Sequence, residues 1–282
     1  MGTHWPGDIL GGMARELRTL GDHLREWRQR RRMSQLDLAC EADISARHLS
    51  FLETGRAQPS RDMLLHLAER LDVPLRERNV LLVAAGYAPM FRERALDDPA
   101  LSAARAAVDQ VLSGHEPFPA LAVDRHWNLV AANRAVAPLL AGVASLLMEP
   151  PINVLRIALH PEGLAPRTVN FTEWRAHLLA RLRRQVELTA EPKLVELLRE
   201  LESYPAPRRH GPAWRDSEPA PNIAVPFQLR AAGRVLSFFS TVTVFGTPLD
   251  ITLSELAIEA FFPADAETAA ALRGGVATAV PD

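Results

Sequence analysis

Between Thr19 and Gly86, apolar residues recur at three- and four-residue spacing in five short runs, the pattern of small amphipathic helices. Leu20, Leu24 and Trp27 predict a first helix over 19–32, with Arg25, Arg30 and Arg31 on its outer side. Ser34 followed by Asp37 has the spacing of a capping box and predicts a second helix from Gln35 to Ala42, with Leu38 and the small Ala39 turned inward. Asp43 stands where a tight turn needs a residue tolerant of a left-handed conformation. Ile44 plugs the turn and Ser45 caps a third helix, in which Leu49 and Leu52 point in while Ser45, Ala46, Arg47 and Phe51 face out. Gly55 closes that helix. Ser60 caps a fourth, striped by Met63, Leu64, Leu67 and Leu71, and Pro74 opens a fifth that ends at Gly86.

The pattern breaks between Tyr87 and Pro99 and resumes in a helix over 99–113, with Leu101, Ala104, Val108 and Leu112 on one face. That face can pack on its own domain or on a second subunit. The segments ALAVD and WNLVAAN predict two strands turning at Arg125 and His126, followed by a helix that Asn133 would cap. Helices are expected over 153–159, 171–188 and 192–201, the second striped by Phe171, Trp174, Leu178 and Leu182. Pro205, Pro207, Pro212, Pro219 and Pro221 then predict a long loop, mobile or acting as a lid. The strand-rich end comprises VPFQLR, RVLSFFSTVTVF and ITLSELAIEAFFPAD, with turns at Ala232-Gly233 and at 246–248. Along its middle strand Leu236, Phe238, Val242 and Val244 share one face, and Val235, Ser237, Phe239, Thr241, Thr243 and Phe245 the other. The expected sheet is covered by helices on one side and by a partner or its own lid on the other.

The expected fold class is thus α+β: an all-α domain over 19–86, a linker and connecting helix over 87–116, and an α/β domain over 117–273. Residues 1–18 and 274–282 are expected to be disordered and a tail. Two short helices joined by a tight turn form a helix-turn-helix, whose second helix enters the major groove of DNA. Ser34-Gln35 before Leu38-Ala39, then Leu49-Ser50 before Leu52-Glu53-Thr54-Gly55-Arg56 and Pro59-Ser60, resembles the phage-repressor and XRE class of these domains. The resemblance implies Gln35 and Ser45 at phosphates or base edges and Ala46, Arg47 and Phe51 over the bases. It places Arg56 and Ser60 on the backbone and pairs Arg28 with Glu53 inside the domain. His48 is a phosphate neighbour or a plain surface residue. Asp43 departs from the Gly usual in the class.

The stretch SARHLSFLETGRAQPSR is closer still to the MmyB-like branch of XRE regulators. The opening of the second domain resembles a PAS domain. PALAVD, HPEGL and VLSFFSTVTVFGTPLDITLSELAIEAFFPAD together resemble the ligand-binding domain of the same regulators. The resemblance spans about Leu20 to Leu272 and implies dimerisation and a PAS-like pocket able to hold a long-chain fatty acid. Trp127, Phe238 and Phe261 either line or fill such a cavity, beside Val242. Arg156, His160 and Ser237 are the polar groups available to orient a carboxylate.

Charge and composition narrow these readings. Residues 1–86 carry 13 arginines against 12 carboxylates, and the rest 19 basic residues against 22 acidic, so affinity for DNA must come from a few placed arginines and from dimerisation. Cys40 is the only cysteine, which excludes a disulfide framework and a zinc site. The first residues lack a charged segment ahead of an apolar run and no stretch is long enough to span a membrane, so the expected compartment is the cytoplasm. No metal or cofactor is expected beyond a bound fatty acid. His160, His177 and His210 have acids or serines nearby, but no nucleophile elbow, phosphate loop or paired metal motif accompanies them, which argues against an enzyme. The reading is a dimeric DNA-binding regulator answering to an apolar effector. Its rivals are a regulator whose second domain only binds proteins or dimerises, and an antitoxin-like or architectural DNA binder.

Overall fold

A computed structural model describes residues 18–96, 98–189, 191–207, 225–246, 248 and 250–274. The chain divides into two units, Met1–Arg92 and Glu93–Asp282.

In the first unit five helices surround one core: α1 (Leu20–Arg30), α2 (Gln35–Glu41), α3 (Ala46–Glu53), α4 (Arg61–Arg70) and α5 (Leu75–Ala84). Local chemistry sets their ends. Thr19 and Ser34 each form a complete capping box, with Asp22 and Asp37 respectively. Asp43 takes the left-handed conformation (φ 53°) and Gly55 and Gly86 follow suit at the ends of α3 and α5. Leu24, Leu38, Leu49, Leu52, Leu64, Leu67, Leu71 and Leu82 are almost wholly buried, each contributing about 1.5–3 kcal/mol of transfer free energy. At Gly21 a Cβ would lie 2.4 Å from the Glu53 carbonyl oxygen, so α1 crosses the end of α3 backbone to backbone. Of the arginines expected on the outer face of α1, Arg25 donates to the Glu53 carbonyl and Arg31 to those of Leu71 and Asp72, while Arg30 pairs with Glu26. Arg25 and Arg31 tie off helix C-termini, and none of the three stands free.

The second unit is built on a five-stranded antiparallel sheet in the order β2-β1-β5-β4-β3. The strands are β1 (Ala120–Val123), β2 (Leu129–Ala132), β3 (Phe227–Ala231), β4 (Arg234–Val244) and β5 (Ala257–Pro263). The helices are α6 (Ser102–Gly114), α7 (Val154–Leu159), α8 (Phe171–Thr189), α9 (Pro192–Ser203), α10 (Ile251–Ser254) and α11 (Ala266–Arg273). On one face α7, α8 and α9 pack into a core with Leu229, Leu236 and Phe238. On the other, Val108 and Leu112 of α6 pack against Ala120, Ala122 and Ile258, so the connecting helix lies on its own sheet. At Gly163 a Cβ would stand 2.2 Å from the Ile157 carbonyl oxygen, which lets the chain fold back tightly after α7.

Three expectations need correction. No α-helix starts at Asn133: residues 137–140 form a single 3-10 turn, because Pro138 removes a helical donor and crowds the preceding turn. The Asn133 side chain is instead a bracket, accepting from Ala120 N (3.1 Å) and donating to the Leu112 and Phe118 carbonyls (3.0 and 2.8 Å). The last apolar segment is not continuous strand, since Asp250 and Asp265 accept from backbone N–H groups two and three residues on and start α10 and α11. On β4, Leu236 and Phe238 are buried, but Val242 and Val244 on the same face are 47% and 61% exposed. The expected lid, with Pro212, Pro219, Pro221 and His210, lies outside the described residues.

Candidate nucleic-acid interface and ligand cavity

One carboxylate, that of Glu53, ties the start of α2 to the end of α3. Glu53 is 3% exposed. Its Oε1 accepts from Arg28 Nε (2.6 Å), and its Oε2 from Arg28 Nη2 and Gln35 Nε2 (both 2.8 Å). Burial alone would push this carboxyl up. The hydrogen bonds from Arg28 and Gln35, with the charges of Arg28 and Arg25, overcome that and hold it below the usual carboxylate range. The clamp joins α1, α2 and α3, and so fixes which way α3 faces.

What α3 then presents is narrow. Ser45 is exposed, and its hydroxyl accepts from His48 N (3.1 Å) as the cap. Arg47 is exposed, with its guanidinium 5.4 Å from the ring centre of half-buried Phe51 one turn on, an arrangement that holds a long side chain along the helix. Ala46, expected to face out, is half-buried against the core, because it lies three positions before Leu49 and shares its side of the helix. His48 is half-buried, its Nε2 3.3 Å from the sulfur of Met63. Gln35 reaches Glu53 with its amide nitrogen, which leaves its carbonyl oxygen for other contacts. Arg56 and Ser60 are exposed, and Ser60 caps α4 by accepting from Met63 N (3.2 Å).

The second unit encloses an apolar cavity of about 80 Å³. Its walls come from Leu121 of β1, Trp127 and Leu129 at the β1–β2 turn, Leu155, Ile157 and Ala158 of α7, Trp174 and Leu178 of α8, Phe227 of β3, and Glu259 and Phe261 of β5. Trp127 adopts a positive φ of 66°, rare for a bulky side chain. It is held there by Nε1 donating to Gln185 (2.7 Å) and by the Arg181 guanidinium 4.8 Å from its ring centre. His177 stacks on Trp174 with ring centres 5.3 Å apart. Burial, and then the charge of Arg181, lower its pKa, so the ring is neutral at pH 7.

Of the residues expected at a pocket, Trp127 and Phe261 line the cavity. Phe238 is fully buried behind them, 6.3 Å from Phe261 between ring centres, and fills the core. Val242 is exposed on β4 and does not line the cavity, although it pairs across the sheet with Glu259, which does. Arg156 makes a two-pronged pair with Glu200 (2.8 and 2.7 Å), and His160 accepts from Glu162 N and meets Tyr204 edge-on. Burial and the bond to Glu200 raise the Tyr204 phenol above its usual range. Ser237 donates its backbone N–H to Thr268. None of these three polar residues lines the cavity; the charged group that does is Glu259, whose Oε1 accepts from Arg181 (2.8 Å). The signal for it was in the alternation of β5, where an acid shares the inward parity of Phe261.

Known families agree with this division. The family model described as MmyB-like transcription regulator ligand binding domain matches residues 104–274, and one described as helix-turn-helix domain matches residues 19–81. Comparison with curated proteins gives no match. Among the described residues no helix is long and apolar enough to cross a membrane.

Proposed function

We propose, for a chain that belongs to the family of MmyB-like transcription regulator ligand binding domains and carries a helix-turn-helix domain, that an apolar small molecule in the second unit modulates how a dimer reads its operator. The observation that carries this reading is the pairing of an exposed Arg47, held over half-buried Phe51 on a clamped α3, with an apolar cavity in a separate unit. Ser45, Arg56 and Ser60 would meet the phosphate backbone, beside His48. Arg47, with Ala46, Phe51 and the free oxygen of Gln35, would meet the bases. Dimerisation follows from the weak net charge of the first unit. Two recognition helices about one duplex turn apart supply the affinity that one cannot. The expected compartment is the cytoplasm.

A long-chain fatty acid is the effector that the family resemblance suggests, and the greasy walls support an acyl chain. The space does not yet suffice: ligand sites generally measure about 300–1,000 Å³, and this cavity holds about 80 Å³. Binding therefore requires the cavity to open. The walls include β5, and α6 packs on β1 and β5, so an opened cavity disturbs the helix that precedes the domain in the chain. That is the proposed route to the recognition helices. The exposed valines of β4, Val242 and Val244, favour a second reading in which this unit meets a protein.

DNA selected from a random pool by the full-length protein provides the test. Saturating lipid extract should change the affinity for that DNA, since a ligand with no preference between states shifts nothing. An unchanged affinity overturns the effector reading. Arg47→Ala should lower discrimination at one base position by roughly 1–3 kcal/mol. An equal loss on unselected DNA would make Arg47 a phosphate contact.

A further inference from the structure

We propose that the cavity is built for an apolar molecule whose head group donates a hydrogen bond, an alcohol, amide or amine rather than an ionised carboxylate, with Glu259 as its acceptor. This rests on the small-molecule reading above, keeps its apolar chain and departs from the fatty acid in the head group.

Glu259 stands on β5 between Leu121 of β1 and Val242 of β4, on the face that α8 covers. It is 5% exposed in surroundings that are otherwise apolar. A carboxylate in such a place is costly unless its oxygens are satisfied. Among the described residues it accepts one hydrogen bond, from Arg181 to Oε1, which leaves Oε2 as an acceptor. Arg181 does not itself line the cavity; its guanidinium lies over Trp127 and donates to Glu259 Oε1. His177, neutral and stacked on Trp174, brings no positive charge to the wall. A ligand carboxylate would thus meet a negative oxygen in an apolar room. A hydroxyl or N–H would complete the set of hydrogen bonds that the protein leaves open. The rings of Trp127, Trp174, Phe227 and Phe261 supply the apolar contact for the rest of the molecule.

Octanol, octylamine and octanoate differ only in the head. Their binding to the full-length protein at pH 7.5, by calorimetry or by the shift in thermal midpoint, separates the possibilities. Octanol and octylamine are expected to bind at least about tenfold more tightly than octanoate, the size of one hydrogen bond to a charged group. Glu259→Gln, which puts an amide donor on the wall, should erase or reverse that order. Octanoate binding as tightly as the others to the wild-type protein overturns the proposal while leaving an apolar effector standing. An order that survives in Glu259→Gln also overturns it. Binding of none of the three to the wild-type protein removes the small-molecule reading as well. The wild-type ranking needs no variant, so poor folding of Glu259→Gln would not shelter the idea.

Discussion

Among the described residues each unit buries one glutamate to nearly the same depth, and the two are treated in opposite ways. Glu53, 3% exposed, receives three side-chain hydrogen bonds from Arg28 and Gln35, and Arg25 lies 3.7 Å away. Glu259, 5% exposed, receives one, and it borders a cavity rather than a packed core. A buried polar group whose partners are complete fixes geometry; one with capacity left over is a place where a ligand can contribute. The depth of a buried charge therefore says little about its role. The number of its lone pairs already claimed says more.

The largest effect that tests this contrast comes from deleting each carboxylate. Glu53→Ala leaves Arg28, 11% exposed at its side chain, without its anion, and should cost the first unit about 3–5 kcal/mol in urea unfolding followed by hydrogen exchange of the α1–α5 amides. Glu259→Leu places an apolar residue in an apolar wall, and Arg181, 26% exposed, can rehydrate. It should cost clearly less than Glu53→Ala, whose arginine is more deeply buried. Equal losses at the two positions would break the comparison. Acid should reach the first clamp too. The folded-state pKa of Glu53 is depressed, so its contribution is complete above the unfolded carboxylate value, about pH 4, and is lost as pH falls through the folded value. In Glu53→Gln that component of the acid transition should be missing.

The same contrast explains what could be read in advance. The first unit is a sum of local signals: Ser34 with Asp37, Asp43 at the turn, Ser60 before a leucine stripe, each deciding a structure within four residues of itself. The clamp, too, was anticipated, since the resemblance to the XRE class pairs Arg28 with Glu53. The second unit depends on contacts far apart in sequence. Asn133 looked like a cap because caps are local, whereas its partners are Ala120, Leu112 and Phe118. Arg156, His160 and Ser237 looked available because nothing nearby claimed them. Glu200, which pairs with Arg156, and Tyr204, which meets His160, come from α9 and the residue after it, far along the chain. The alternation of β5 put Glu259 on the side of Phe261, but which side met the cavity was set by the pairing of β5 with β1 and β4.

Packing gives the next sharpest comparison. Ala39 and Ala68 are each 1% exposed in the first core, whereas Ala158 is half-buried and borders the cavity. Enlarging a side chain in a filled core usually costs about 1–3 kcal/mol through strain. Ala39→Leu should therefore destabilise the first unit by about that much. Ala158→Leu should cost less than about 1 kcal/mol, because the added carbons enter space already there. It should also abolish the thermal shift given by octanol. A large loss in Ala158→Leu would mean that the cavity walls are as unyielding as the first core, and an apolar effector would have no way in.

The smallest effect separates two duties that fall on one hydroxyl. Ser45 caps α3 by accepting from His48 N, and it is exposed where the phosphate backbone is expected. Ser45→Ala removes the cap, at a cost of about 1 kcal/mol. Ser45→Asp keeps an acceptor at the same place and adds negative charge at the helix N-terminus, where it is favourable for the helix, so it should restore stability to within a few tenths of a kcal/mol. The same charge faces the phosphates, so DNA affinity should fall more in Ser45→Asp than in Ser45→Ala, with the gap narrowing as salt is raised. If the two variants bind DNA equally well at low salt, Ser45 stands away from the duplex and its work is confined to the helix end, which moves the contact surface toward Arg47 and Phe51.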